Sequence, residues 1–119
     1  MVHYAAPPVT GGVESVLGAH ARLLRRAGHD VLVIAGRGEA MVIPEIDSRH
    51  PDVERVTEGL ARGDGDPVLF ERLRSTISDR LRQPLADREL TIVHNVLTMP
   101  LNLPLTAALL ELTAPAGPA

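Results

Sequence analysis

Two short groups of residues in this chain are of types that could do chemistry. Gly11-Gly12 stands at the start of an apolar pattern of helical period, with Glu14 close behind, and His94-Asn95 follows an apolar run. The first N–H groups of a helix have no partner in the helix, and the helix dipole is positive at that end. Because glycine lets a ligand approach closely, the pair predicts contacts to a phosphate or another anion. The alternative is a tight turn that needs positive φ at these glycines.

The other candidates allow both a functional and a purely structural interpretation. Glu14 could position a hydroxyl group, or it could be a first-turn acid that favours the helix dipole. His94 and Asn95 could contact a ligand, or their side chains could satisfy backbone groups in a turn. His20 falls in the apolar stripe of the first helix, which predicts a packed, hydrogen-bonded side chain.

The elements that carry these residues alternate between strands and helices. Val2–Ala5 is a short apolar strand, and the prolines that follow it cannot continue a ladder. An amphipathic stripe then predicts a helix that ends at Gly28, a C-cap glycine. The stripe comprises Val13, Val16, Leu17, Leu24 and Ala27, with Leu23 beside it. Val31–Ala35 is continuously apolar, which is typical of a parallel strand that is covered on both faces.

The second half of the chain continues the alternation. Asp66 predicts an N-cap, with Pro67 in the first helical position, for a helix that Pro84 ends. The remaining expected elements are a third strand within 41–46 that Pro44 interrupts, a short helix near 53–60, a strand at 90–93 and a helix over 103–112. Strands that alternate with helices predict an α/β fold, with a parallel sheet between helices on both faces.

Topology and composition both limit the function. In a parallel sheet ligands bind beyond the carboxyl ends of the strands, so residues 7–12, 36–38 and 94–95 should share one edge. The net charge is −3 and only Tyr4 and Phe70 are aromatic, so we expect no nucleic-acid partner. Cysteine is absent and the histidines lack the spacing of a zinc site, so we expect no metal. No apolar run is long enough for a transmembrane segment, and the cytoplasm is the expected compartment.

The residues resemble those of the N-terminal domain of a family-4 retaining glycosyltransferase of GT-B architecture. Three segments carry the resemblance, in the order and spacing of the family: residues 8–14, which include the glycine pair, the turn at 27–31, and residues 92–95. The resemblance covers most of residues 2–112 and leaves 113–119 as a Pro/Ala tail. It implies a Rossmann-like parallel sheet with flanking helices, here the incomplete N-terminal half of a GT-B fold.

The resemblance also implies a function. Such enzymes move a sugar from a nucleotide-sugar donor to a hydroxyl acceptor, with retention of the anomeric configuration. Their N-terminal domain mainly binds the acceptor, and its glycine loop approaches the donor diphosphate, which corresponds to Gly11 and Gly12. Glu14, His94 and Asn95 are then candidate acceptor or cleft contacts. The catalytic residues stay unassigned, and the nucleotide-sugar is a substrate, so no cofactor is expected.

The pattern of the family is incomplete in this chain. Residues 1–112 offer fewer strands than a complete N-terminal half, and the C-terminal domain that binds most of the nucleotide-sugar is missing from the sequence. We therefore expect a truncated domain that is inactive alone. Two alternatives stay open: a free-standing α/β module that binds a phosphorylated ligand or a partner protein, and a fragment of a sugar-nucleotide epimerase. The sequence also leaves open whether the intact enzyme associates peripherally with a membrane.

Overall fold

A small parallel sheet with α-helices on both faces forms the framework of the protein, in agreement with the predicted α/β class. The structure, a computed structural model, describes residues 1–115. Its elements in chain order are β1 (Val2–His3), α1 (Gly12–Arg26), β2 (Ile34–Ala35), β3 (Met41–Val42), α2 (Pro51–Ala61), α3 (Pro67–Ala86) and α4 (Leu103–Thr113). One turn of 3-10 helix, Pro44–Ile46, follows β3, so the predicted interruption by proline is confirmed.

The sheet has three strands in the order β1-β2-β3, and both pairings are parallel. Val2 lies opposite Ile34, which in turn lies opposite Met41. On the other side of β1, Val93 forms a single parallel bridge to Val2. The strand that the sequence predicted over 90–93 is therefore reduced to one paired residue.

The apolar runs that predicted strands are longer than the paired segments. Only Ile34 and Ala35 of the expected strand 31–35 belong to a ladder, and the expected strand 2–5 also pairs over two residues. The next residue after β1, Tyr4, is buried nonetheless. Single hydrogen bonds reach one residue beyond the paired segments, from Gly36 N to Tyr4 O and from Met41 N to Val33 O, both at 2.9 Å. Burial on both faces therefore extends further along the chain than the regular ladder does.

Alternate residues of the β2 region pack into two separate cores. Ile34 packs against α3 and α4 in the larger core. The other buried members of this core are Val2, Tyr4, Ile43, Ile46, Ile77, Leu81, Val96, Leu105, Ala108 and Leu109. Val33 and Ala35 pack instead against Leu17 and Ala21 of α1. Helix α1 therefore covers one face of the sheet, and α3 and α4 cover the other.

The buried face of α1 is narrower than the sequence pattern predicts. Leu17 and Ala21 are buried, but Val16 is 48% exposed and Leu23 is 59% exposed. His20 is exposed as well, so the prediction of a packed His20 is wrong. A pattern of apolar residues gives the period of a helix, but the width of the buried face depends on how the helix lies on the sheet.

Two helix ends follow their local sequence signals, and a third does not. Gly28, at φ 92°, comes directly after the C-cap of α1. The side chain of Asp66 accepts a hydrogen bond from the backbone of α3, and Pro67 is the first residue of that helix, as predicted. The prediction that Pro84 ends α3 is wrong, because the helix continues to Ala86. Proline removes one donor to the preceding turn, and the residues after it can still complete the last turn.

Two further boundaries differ from the predictions. Helix α2 begins at Pro51 and is longer than the short helix expected near 53–60, since His50 caps its first turn. Helix α4 includes Thr113, which the sequence placed in the tail, while 116–119 lie outside the described residues. Within residues 1–115, no helix combines the length and the apolar character that spanning a membrane requires.

Candidate functional site

Three loops meet at the carboxyl ends of the strands. The loop after β1 is bonded to the loop after β2, through Ala6 N to Arg37 O at 2.9 Å and Glu39 N to Pro7 O at 2.8 Å. Gly38 permits this close contact, because its φ is 97° and a Cβ there would collide with the backbone of Ala6. The end of the segment beside β1 joins them. We call this edge the rim, and it comprises residues 6–12, 36–39 and 94–95.

The glycine pair opens α1 on the rim. Gly11 is the N-cap residue, and a helical hydrogen bond runs from Ser15 N to Gly11 O at 3.1 Å. No side chain within residues 1–115 caps this helix. The backbone amides of Gly12, Val13 and Glu14, which precede the first helical donor, therefore have no capping acceptor. Gly11 has an extended backbone, at φ 172°, and Gly12 is not a positive-φ glycine. The alternative of a turn that needs positive φ is therefore wrong.

The two glycines differ in their surroundings. Apart from its chain neighbours and the backbone of its own helix, a Cβ on Gly12 would meet no atom of residues 1–115 within 4 Å, so this position is open. A Cβ on Gly11 would collide with the carboxylate of Glu14, which folds back over the N-cap. That carboxylate lies at the positive end of the helix dipole, where it is favourable. An anion that binds at the first amides would therefore have Glu14 as a neighbour.

Glu14 contacts His3, a residue that the sequence did not single out for the site. His3 Nε2 lies 3.6 Å from Glu14 Oε1, and the two side chains are 5% and 16% exposed. His3 Nδ1 lies 2.8 Å from the carbonyl oxygen of His94. A carbonyl only accepts, so Nδ1 must carry the hydrogen, and Nε2 is the atom that faces the carboxylate. His3 thus connects the start of α1 to the end of the segment beside β1.

His94 is fixed to β1 by its backbone. Its N–H donates to Val2 O at 3.0 Å, and its carbonyl accepts from His3. Its ring Nε2 is buried and has no hydrogen-bond partner among residues 1–115. Burial lowers the pKa of His94, and His20, His3 and the N-terminal ammonium group lower it further. Because its pKa lies below the ordinary value of 6.5, the ring is mostly neutral at pH 7, and its Nε2 has no partner among the described residues.

Asn95 turns the chain away from the rim. Its φ is 55°, in the left-handed region that asparagine tolerates better than most residues. Its carbonyl accepts a hydrogen bond from Met99 N at 2.8 Å. Tyr4 Oη holds the same loop, since it donates to Met99 O at 2.5 Å and accepts from Leu101 N at 3.1 Å. The backbone of Asn95 thus shapes the turn, and its exposed side chain remains available at the edge of the rim.

Arg37 lies on the rim but already has a partner. Its Nε lies 3.1 Å from Asp47 Oδ2, although the geometry is not that of an aligned hydrogen bond. The carboxylate offsets the guanidinium charge. We therefore assign Arg37 to the structure of the loop rather than to ligand binding.

A cavity of about 560 Å³ lies at the opposite end of the sheet, between α1 and the end of α3. Its lining includes Leu24, Pro84 and Ile92, together with Asp30 and Arg88, whose side chains are 2.7 Å apart. Ligands of parallel sheets bind at the carboxyl ends of the strands, and this cavity is at the amino ends. The rim is therefore the better candidate for the site.

No protein-family model, curated protein or solved structure matches this chain. The chemistry of the rim is therefore the basis for a function. It offers helix amides that favour an anion, the carboxylate of Glu14, and the imidazoles of His3 and His94, which can exchange protons with hydroxyl groups. Within residues 1–115, no group of three or more His, Cys, Asp or Glu side chains could hold a metal ion.

Proposed function

We propose that the chain is the acceptor-side N-terminal part of a glycosyltransferase that moves a sugar from a nucleotide-sugar donor to a hydroxyl acceptor with retention. Its scaffold would be a Rossmann-like domain, the incomplete N-terminal half of a GT-B fold. The observation that carries the proposal is the position of the start of α1, which no side chain of residues 1–115 caps. It lies on the rim beside the point where the order of the strands reverses.

The strand order supports this placement. Across the sheet the order is β3, β2, β1 and then the segment that ends at His94, which Val93 attaches to β1. The chain thus adds β2 and β3 on one side of β1, and the fourth segment lies on the other side. The same order, 3-2-1-4, occurs in dinucleotide-binding domains, where ligands bind in the crevice at this reversal. The glycine loop follows β1, so it borders that crevice together with His94.

A nucleoside diphosphate fits the chemistry of the glycine loop. The amides of Gly12, Val13 and Glu14 supply donors, and the helix dipole favours negative charge. The open space at Gly12 lets a phosphate reach the backbone. In the complete enzyme these donors would stabilise the leaving diphosphate as its charge develops. Because the resemblance implies that a C-terminal domain supplies most donor contacts, we expect the isolated chain to bind diphosphate weakly and to transfer no sugar.

Glu14 and His94 are the proposed contacts to the acceptor. A bound diphosphate would repel the carboxylate of Glu14 from its place over Gly11, and the carboxylate could then accept a hydrogen bond from an acceptor hydroxyl. His94 Nε2 is buried without a described partner, and a hydroxyl that enters the crevice would satisfy it. Asn95, exposed beside it, would extend the contact at the edge of the rim.

Substitution of Gly12 by alanine tests the diphosphate site. Alanine fits the fold at this position, because the space is open and φ is not positive. Its methyl group, however, lies in the path of a phosphate that approaches the amides. We expect Gly12→Ala to weaken the binding of uridine diphosphate by about five-fold, or about 1 kcal/mol. Titration of the full chain, followed through the backbone amide NMR signals of residues 11–14, measures this.

Gly65→Ala is the matched control. Gly65 lies in the loop between α2 and α3, is exposed, and has no positive φ, so this variant should bind uridine diphosphate like the wild type. Equal affinity for inorganic phosphate and uridine diphosphate would favour the phosphate-binding module instead. Unchanged affinity in Gly12→Ala would contradict the diphosphate site. Sugar transfer by the isolated chain would contradict its assignment as an inactive part of the enzyme.

A further inference from the structure

Three histidine rings come together beside the rim, and we call His3, His20 and His94 the histidine cluster. The ring centroid of His94 is 5.9 Å from that of His20 on α1. The carbonyl of His94 accepts a hydrogen bond from His3 Nδ1 at 2.8 Å. His20 is exposed, whereas His3 is only 4% exposed. The cluster therefore extends from solvent into the interior, with His94 between its two other members.

The buried position of the His94 ring is compatible with a neutral imidazole but unfavourable for a charged one. Its backbone is bonded to Val2 and to His3, which holds the residue between β1 and α1. Its Nε2 is buried and without a partner within residues 1–115. A neutral ring tolerates this at the cost of an unmade hydrogen bond, but a charged ring in the same place requires hydration or a counter-charge.

The groups that face His94 supply mainly positive charge when the rings are protonated. Strand β1 and the residue before it contribute His3 and the ammonium group of Met1, and α1 contributes His20. The carboxylate of Glu14 lies 3.6 Å from His3, so its negative charge acts mainly on that ring and less on the ring of His94. Burial, followed by these three positive groups, lowers the pKa of His94.

We propose that the histidine cluster is an acid-responsive switch that releases residues 94–101 from β1 and α1 as the pH falls. Protonation of His94 places a charge between His20 and His3, and movement of the ring into solvent relieves both the repulsion and the desolvation. This movement breaks the bonds of His94 to Val2 and His3 and opens the rim. The switch needs no ligand, so it does not depend on the function proposed above.

The direction of the pH dependence follows from linkage. In the closed state the pKa of His94 lies below its ordinary value of 6.5, so the open and unfolded states bind the proton first. The closed state is then unaffected well above pH 6.5 and loses stability as the pH falls through that value. The loss reaches its full extent once the pH is below the lowered pKa.

Amide hydrogen exchange on the full chain tests the switch from about pH 7.5 to about pH 5, the range in which histidine titrates. We expect acid to reduce the protection of His94 N and Leu101 N, which are bonded to Val2 and Tyr4. Leu105 N, bonded to Asn102 at the start of α4, is the internal reference and should keep its protection. Equal loss at all three amides, or no loss at His94, would overturn the proposal.

His94→Gln and His29→Gln form the matched pair of variants. His94→Gln removes the titrating ring, and we expect it to abolish the acid response of residues 94–101. His29 is an exposed histidine beyond the other end of α1, so His29→Gln should respond like the wild type. An unchanged acid response in a folded His94→Gln would overturn the proposal.

A third variant keeps the test decisive if His94→Gln does not fold. His20→Gln removes one charge that faces His94 from an exposed position. It should shift the titration of the His94 ring, followed by its NMR signals, towards higher pH. A His94 ring that titrates at the same pH in His20→Gln and in the wild type would contradict the switch.

Discussion

The two faces of the sheet differ in the size of their buried side chains and in the capping of their helices. On the face that α3 and α4 cover, large side chains are fully buried, and both helices have side-chain caps. On the α1 face the core is mostly small, with Ala6, Ala21 and Ala35 beside Leu17 and Val33. Among the described residues no side chain caps α1, and the exposed Val16 and Leu23 remain on its surface. We therefore expect the first face to supply most of the stability. The α1 face holds polar groups without described partners, which a binding site needs.

The largest expected effect on stability comes from truncating a side chain in the larger core. Ile77 is fully buried, so Ile77→Ala leaves a cavity, and we expect it to lower the free energy of unfolding by about 2 to 5 kcal/mol. Leu23→Ala is the control on the α1 face, where the side chain is 59% exposed, and should cost less than about 0.5 kcal/mol. Urea unfolding measures both. Similar costs for the two variants would break the comparison.

Loss of a satisfied polar group on the same face should have the next largest effect. Asn102 is fully buried: its amide donates to the carbonyls of Glu45 and Ile46 at 2.9 and 3.1 Å, and its Oδ1 accepts from Leu105 N at 3.1 Å. Asn102→Ala leaves these groups buried and unpaired, at a cost of about 2 to 3 kcal/mol in unfolding free energy. Asn95→Gly is the control, because Asn95 is exposed and glycine adopts its positive φ freely. A cost near zero for Asn102→Ala would mean that the polar contacts of this face do not stabilise it.

The smallest expected effect concerns the caps themselves. Asp66 Oδ1 accepts a hydrogen bond from Leu69 N at 3.0 Å at the start of α3. Asp66→Ala removes that bond, and we expect a loss of about 1 kcal/mol in thermal or urea unfolding. Asp66→Asn keeps an acceptor and should retain most of the stability. If Asp66→Ala left the free energy of unfolding unchanged, the side-chain cap of α3 would not stabilise the protein. The lack of such a cap on α1 among the described residues would then explain no difference in stability.

The helices were the part of the fold that the sequence predicted best. Asp66 and Pro67 mark the start of α3, and Gly28 marks the end of α1, because capping depends on a few consecutive residues. The strands were predicted less well, since an apolar run does not say how many of its residues meet a neighbouring strand. The exposed position of His20 was also missed. The place of His20 in an apolar stripe is a local property of the sequence, but its burial depends on which elements pack against that side of the helix.

The sequence by itself determined the α/β class, the positions of the main helices and the placement of Gly11 and Gly12 at the start of α1. Each of these depends on local periodicity, capping or backbone freedom. Only the tertiary structure decided that His3 lies between Glu14 and the carbonyl of His94, 91 residues further along the chain. It also decided which face of the sheet is fully packed. Contacts at such separations depend on the path of the whole chain, and no local pattern encodes them.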